Sequence, residues 1–234
     1  MELVEHTPDT IWTADYPVHY SGLDFSARMT IIRLEDGRLL LHSPCNIDDA
    51  VVTQIAKLGS SAFLVAPGSY HYFHIPSAQQ AFPDAETYIC PGIERKRPEM
   101  EFDWFLSDQA PPAWANEIEQ VLVRGTRFIW EVAFFHKASR TLVLVDLIEN
   151  IGDATRGTDW RLKLWWKVVF HMWNKPRPAP EYQLGWGDKK AVGTCLSRIM
   201  EWDFDRIIIS HGDNIDENAK VAAREAWNVP LGGN

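Results

Sequence analysis

Three histidines and one aspartate stand where short apolar runs give way to turn or polar residues. His71 and His74 follow Phe63-Leu64-Val65-Ala66, Asp146 follows Thr141-Leu142-Val143-Leu144-Val145, and His211 follows Arg206-Ile207-Ile208-Ile209-Ser210. Imidazole nitrogens and a carboxylate oxygen, with one position left for water, suit zinc or a similar divalent ion. An ion held in that way can polarise a carbonyl or phosphoryl oxygen and bring the pKa of bound water down towards ~7. The residue types therefore describe a candidate metal site, provided that three distant segments converge.

Each run is short, rich in branched apolar residues and closed by polar or turn residues, as buried strands are. Upstream, residues 28–34 and 38–42 predict two strands joined at Glu35-Asp36-Gly37, where the Asp-Gly pair favours a hairpin. Asn46 or Asp48 can cap a helix through Val51, Ile55 and Leu58 that Gly59 stops. A short helix near 77–81 and a strand at 87–90 follow the His71/His74 loop, and the charged stretch 94–100 reads as a solvated loop. Pro111-Pro112 followed by Trp114, Ile118, Val121 and Leu122 predicts a helix or helical turn with a proline start. Residues 128–135 and 141–145 form a second predicted hairpin. The stretch 159–173 reads as a helix apolar around much of its circumference, ended by Pro176, Pro178 and Pro180. An amphipathic helix near 189–202, the strand before His211 and a polar helix at 216–227 complete the order. Mixed in this sequence, strands and helices predict an α/β or α+β layered domain. One domain over 1–234 is expected, with a Trp-rich helical insertion at about 153–182.

Lys and Arg number 23 against 32 Asp and Glu, a net charge of −9. A broad phosphate-binding surface is therefore not expected, and a small-molecule substrate or ligand is the expected partner rather than nucleic acid. Cys45, Cys90 and Cys195 are odd in number and far apart, which predicts no disulfide framework and no metal role for sulfur. The acidic start Met1-Glu2-Leu3-Val4-Glu5 lacks a secretory pattern, so a cytoplasmic location is the expectation. No run reaches the ~18 apolar residues of a spanning helix.

Taken together, these residues resemble the metallo-β-lactamase superfamily, in a bacterial branch with a degenerate metal motif. The superfamily's H-x-H-x-D-H stretch is matched by Ser69-Tyr70-His71-Tyr72-Phe73-His74, its bridging aspartate by Asp146, and its final strand and histidine-glycine pair by Ile207-Ile208-Ile209-Ser210-His211-Gly212. The resemblance covers roughly residues 27–215. It implies a four-layer αββα sandwich with the site at one sheet edge. Aligned so, the first motif histidine is Ser69, the motif aspartate is Phe73, and no histidine precedes the strand near 132–135. What remains is His71, His74, Asp146 and His211, too few for two ions. His74, Asp146 and His211 match one ion's shell, and His71 alone survives of the other. The implied activity is hydrolysis of a small ester, lactone, thioester or phosphoester at a site holding at most one tightly bound ion, zinc, iron or manganese. The alternative is a ligand- or partner-binding protein that keeps the fold without the metal.

Several other residues carry two readings. Glu131 could supply a ligand oxygen in place of the missing histidine, or face away from the cleft. His42 could line the cleft or stabilise a turn, and His136 falls in a hairpin where a structural role is expected. Asp146 could equally cap the turn after its strand. Arg161, Lys163 and Lys167 among the tryptophans could mark an interfacial helix, or the segment could roof the cleft. Such stripes more often face a core or a homodimer partner, so membrane contact is not the expectation.

Overall fold

The computed structural model describes residues 1–232. Seven strands in chain order form one sheet: β1 (Val4–Thr7), β2 (Ile11–Tyr20), β3 (Leu23–Arg33), β4 (Arg38–His42), β5 (Ser60–Ala66), β6 (Glu86–Ile89) and β7 (Trp104–Phe105). Pairing is antiparallel from β1 to β4 and parallel from β4 to β7. A second sheet holds β8 (Ile118–Leu122), β9 (Val132–His136), β10 (Thr141–Leu144) and β11 (Arg206–Ile209), in the order β11-β10-β9-β8. Only β10 and β11 run parallel within it.

The helices are α1 (Asp49–Ile55), α2 (Ile75–Ala81), α3 (Ile93–Lys96), α4 (Trp160–Leu164), α5 (Pro180–Gly185), α6 (Lys189–Glu201) and α7 (Ala219–Ala226), with a π-helical turn Trp165–Val169 continuing α4. As expected from the sequence, Asp48 caps α1 by accepting from the Val51 amide. The second sheet shows why four layers form. Alternate residues of a strand point to opposite faces. Val132, Phe134, Val143 and Ile208 enter the core shared with Ile31, Leu40 and Leu64 of the first sheet. Their neighbours Ala133, Phe135, Leu142, Leu144, Ile207 and Ile209 pack on Val192, Leu196, Ile199 and Ala223 of α6 and α7. On the far side, Val51, Ile55, Ile75 and Ala78 lay α1 and α2 against the first sheet. Burying a side chain the size of Phe134 or Ile208 stabilises by roughly 1.5–3 kcal/mol, so the doubly apolar second sheet locks the αββα order.

Three expectations change. Residues 94–100 begin within α3 rather than forming a wholly solvated loop. Residues 112–117 make turns and 118–122 form β8, not a helix. The spacing of Ile118, Val121 and Leu122 fits either state, and pairing of β8 with β9 decides for the strand. Trp114 anchors that turn, buried edge-on against Phe63 and Tyr88, with its indole donating to Gln120 at 3.2 Å. The Trp-rich segment, finally, is apolar on two sides for different reasons. Leu162, Trp166, Met172 and Trp173 are buried with Leu23 and Phe25 of β3 beside them, whereas Trp160, Leu164, Trp165, Val168 and Val169 are exposed. Among the described residues, no helix is long and apolar enough to cross a membrane.

Candidate metal centre

Two of the expected ligands are brought together by register alone. In the parallel pair, Leu144 of β10 sits opposite Ile209 of β11. Asp146 and His211 each lie two residues beyond that point, so both side chains leave the sheet at the same edge. His71 arrives from the other sheet, on the loop after β5. That loop is stitched across to the start of β9 and the residues just before it by Val132 N donating to Pro67 O at 2.7 Å and Ser69 N to Trp130 O at 2.8 Å. The result is a buried trio of His71, Asp146 and His211 whose ligand atoms all lie within 4.8 Å of one another.

The outer atoms of both imidazoles are already engaged. His211 Nδ1 donates to the Ser26 carbonyl at 3.0 Å, and His71 Nδ1 meets the Ser43 hydroxyl at 2.7 Å. Each Nε2 therefore faces the Asp146 carboxylate, at 3.4 Å from Oδ1 for His211 and 3.3 Å for His71. Ser43 holds its hydroxyl there from a left-handed backbone (φ +54°), a conformation that costs a non-glycine residue about 1–2 kcal/mol. Asp146 Oδ2 is buried and has no hydrogen-bond partner. Burial opposes ionisation of Asp146, but the two imidazoles outweigh it and hold the carboxyl below the usual range. Burial likewise opposes charge on His211, and Asp146 overcomes this to raise the imidazole to about 9.

The loop bearing Asp146 is clamped by Glu131. Its Oε1 accepts from Val145 N at 2.7 Å, and its Oε2 from Asp146 N and Leu147 N at 2.8 Å each. With both oxygens committed to the backbone, Glu131 is not available as the substitute ligand considered from the sequence. Burial first, and Asp146 second, push its carboxyl up, against three amide donors that favour the ionised form. On the other side, Arg28 fixes the His211 loop: its Nη1 donates to Ile209 O at 2.7 Å, Gly212 O at 3.0 Å and Asn214 Oδ1 at 2.7 Å. Gly212 sits at φ +98°, and a Cβ there would collide with the Asn150 carbonyl.

His74 stands apart from the trio in which it was expected, and His71, given a lesser role, takes its place. The reason is local. His74 is the residue immediately before α2 and rests edge-on against Tyr16 at 5.4 Å, facing β2 rather than the ends of β10 and β11. His42 is fully buried edge-on to Phe134 at 5.1 Å, and burial, with His71 second, drives its pKa down to about 3. His136 bonds to Ser139 within its hairpin at 2.7 Å, the structural role expected. Ser69, at the first motif position, is structural: its Oγ accepts from Trp130 N at 3.0 Å and its carbonyl from Lys96 Nζ at 3.0 Å. Ser26, Ser43, Arg28 and Glu149 had no signal in the sequence, since their roles depend on contacts far along the chain.

The trio opens into a cavity of about 530 Å³, walled by Tyr16, Phe25, Tyr70, Phe73, Trp166 and Phe170 among others. His74, Glu149 and Glu181 also reach it, and among the described residues no Lys or Arg lines it. Glu149 is buried with Oε2 unpartnered, and burial pushes its carboxyl up to about 8. Trp166 and Phe170 come from the Trp-rich segment, which thus roofs the cleft, one of the arrangements its sequence allowed.

Residues 8–158 match the family described as "Domain of unknown function (DUF4336)". The chain belongs to that family. No curated protein matches it. Solved structures show that this DUF4336 chain has the metallo-β-lactamase fold. It superposes on a metallo-β-lactamase from Pontibacter korlensis with a TM-score of 0.66, at 11% identity over 99% of both chains. The metallo-β-lactamase FIM-1 from Pseudomonas aeruginosa, in its mono-zinc form, gives 0.66 at 11% identity, covering 98% of this chain and 96% of that one. A metallo-β-lactamase from Hirschia baltica gives 0.64 at 11% identity over 98% and 97%. The αββα architecture expected from the sequence is therefore the architecture of the DUF4336 chain. The likeness extends to fold, and the trio supplies a candidate metal site within it.

Proposed function

We propose that this protein is a metal-dependent hydrolase that holds one divalent ion between His71, Asp146 and His211 and cleaves a small uncharged ester, lactone or thioester. One observation carries the reading: two Nε2 atoms with their rings anchored from behind, and a carboxylate with a buried unpartnered Oδ2, converge within 4.8 Å. Anchoring Nδ1 to a hydroxyl or carbonyl is how metal-binding histidines are oriented, so the donor set fits an ion. The fit is best for zinc, which accepts mixed nitrogen and oxygen ligands and leaves a position for water. Bound there, the ion would polarise the scissile carbonyl and acidify water. Ser69, Phe73 and Glu131 offer nothing to a second ion, which supports a single-ion site. A mono-zinc form is also what the Pseudomonas aeruginosa structure is described as.

The chain's own contribution beyond the ligands is the cavity. Its aromatic walls suit an apolar acyl or alcohol portion, and among the described residues no Lys or Arg lines it to pair with a carboxylate- or phosphate-bearing substrate. This narrows the classes that the sequence left open by removing phosphoesters. The test is metal content of protein purified without added metal or chelator, for wild type, His211→Ala and His74→Ala, followed by a panel of neutral esters and lactones. About one ion per chain in wild type and His74→Ala, lost with ester cleavage in His211→Ala, is expected from a three-ligand site. Background metal in the wild type would refute it.

A further inference from the structure

Ten consecutive residues, 160–169, hold five of the fifteen exposed large apolar side chains among the described residues: Trp160, Leu164, Trp165, Val168 and Val169. They are not isolated from charge. Between 156 and 177 lie six basic residues (Arg156, Arg161, Lys163, Lys167, Lys175 and Arg177) against one acidic residue, Asp159. The segment carries +5 in a chain of −9, which leaves −14 on the rest. Arg156, Arg161 and Lys167 form no ion pair among the described residues, whereas Lys163 pairs with Asp153 at 2.6 Å. An exposed tryptophan-bearing apolar face, interleaved along the chain with the exposed cations Arg161 and Lys167, is therefore set on a chain of net negative charge.

We propose that this face seats on an anionic lipid surface. Tryptophan, leucine and valine can enter the boundary between headgroups and acyl chains while the flanking cations meet lipid phosphates and carboxylates. The distribution of charge favours this occupant over a second copy of the chain. A two-fold contact through the same face would set +5 against +5, and like charges across an interface oppose association. On an anionic bilayer the −14 body is repelled while the segment is attracted, which orients the molecule with 160–169 down. The inner side of the same segment, through Trp166 and Phe170, is the roof of the cavity. Docking places that roof at the lipid, where an apolar ester would be reached directly. This last consequence rests on the hydrolase reading, and the docking itself does not.

Co-sedimentation with vesicles tests it, using phosphatidylcholine alone and phosphatidylcholine mixed with phosphatidylserine, at low and high salt. Wild type is expected to bind the mixed vesicles at low salt, with an at least tenfold loss of affinity on pure phosphatidylcholine and at high salt. Arg161→Glu/Lys167→Glu, two exposed charge reversals, and Trp165→Ser/Val168→Ser, two exposed apolar losses, are each expected to weaken binding at least tenfold. Circular dichroism melts matching wild type show that both variants stay folded, and two independent variants keep the test valid if one does not. Failure of the wild type to pellet with anionic vesicles overturns the proposal. So does a lipid-free dimer in sedimentation velocity that Trp165→Ser/Val168→Ser dissociates. Zinc content and ester cleavage without lipid are read on the same samples, so loss of docking is separable from loss of the metal reading.

Discussion

Replacing Glu131 with Gln removes one acceptor from a place where three backbone donors converge. The two carboxylate oxygens accept from Val145 N, Asp146 N and Leu147 N at 2.7–2.8 Å, and the side chain is fully buried. A Gln amide keeps one oxygen and presents N–H in place of the other. Oriented to retain the two bonds at Oε2, it leaves Val145 N facing another donor. A buried unsatisfied donor costs about 1–3 kcal/mol, so roughly 2 kcal/mol of stability is expected to be lost. For a chain of this length each kcal/mol moves Tm by about 2–4 °C, which gives a fall of about 4–8 °C in a thermal melt of the metal-free protein. Because the turn clamped by Glu131 carries Asp146, zinc affinity measured by competition with a chromophoric chelator is expected to fall by ~10–100-fold, as for other groups that orient ligands. Glu119→Gln, on the exposed side of β8, is the control and should change neither quantity. A Glu131→Gln protein that melts with the wild type and binds zinc equally would show that the clamp neither stabilises the turn nor places the carboxylate.

Three further outcomes follow from single contacts. Ser43→Gly relieves a left-handed serine worth about 1–2 kcal/mol but removes the partner of His71 Nδ1; stability should hold or rise in urea melts while zinc affinity drops about tenfold or more, and a parallel loss of both would contradict the argument. His42 stays neutral when folded down to about pH 3, whereas an unfolded histidine protonates near 6.5, so wild-type stability contributed by this group is lost as pH falls below 6.5. Between pH 7.5 and 5 that loss is roughly 2 kcal/mol, and it should be absent from His42→Leu; identical pH dependence in the two proteins would sink the claim. Gly212→Ala forces a side chain into the Asn150 carbonyl at positive φ, which should cost about 2 kcal/mol or more and reduce metal content, read by melt and elemental analysis; wild-type values for both would show that the loop has room to move.

The strand ends were readable because branched apolar runs stop abruptly, and two of them, before Asp146 and His211, pair in register. The sandwich itself was legible from the order of those runs together with the family resemblance. What could not be read was direction. His71 and His74 are three residues apart on one loop, and only the start of α2 at Ile75 turns His74 towards Tyr16. β1 and β2 were missed because no residue of β2 beyond Ala14 is buried and its residues, Pro17 and His19 among them, make no apolar run. β8 was misread because Ile118, Val121 and Leu122 satisfy both periods until β9 lies alongside. Glu131 looked like a spare ligand, since a sequence does not show where backbone amides point.

Arg28 and Ser26 hold the loop of His211 across separations of 181 to 186 residues. During synthesis the N-terminal hairpin is made first, yet the third member of the trio and everything that steadies it must wait until residue 211 has left the ribosome. A nascent chain can present His71 and Asp146 but has no complete nest for an ion. On the proposed hydrolase reading, metal loading would be deferred to a largely finished polypeptide, which would shield the early folding steps from capture of a cation in the wrong geometry.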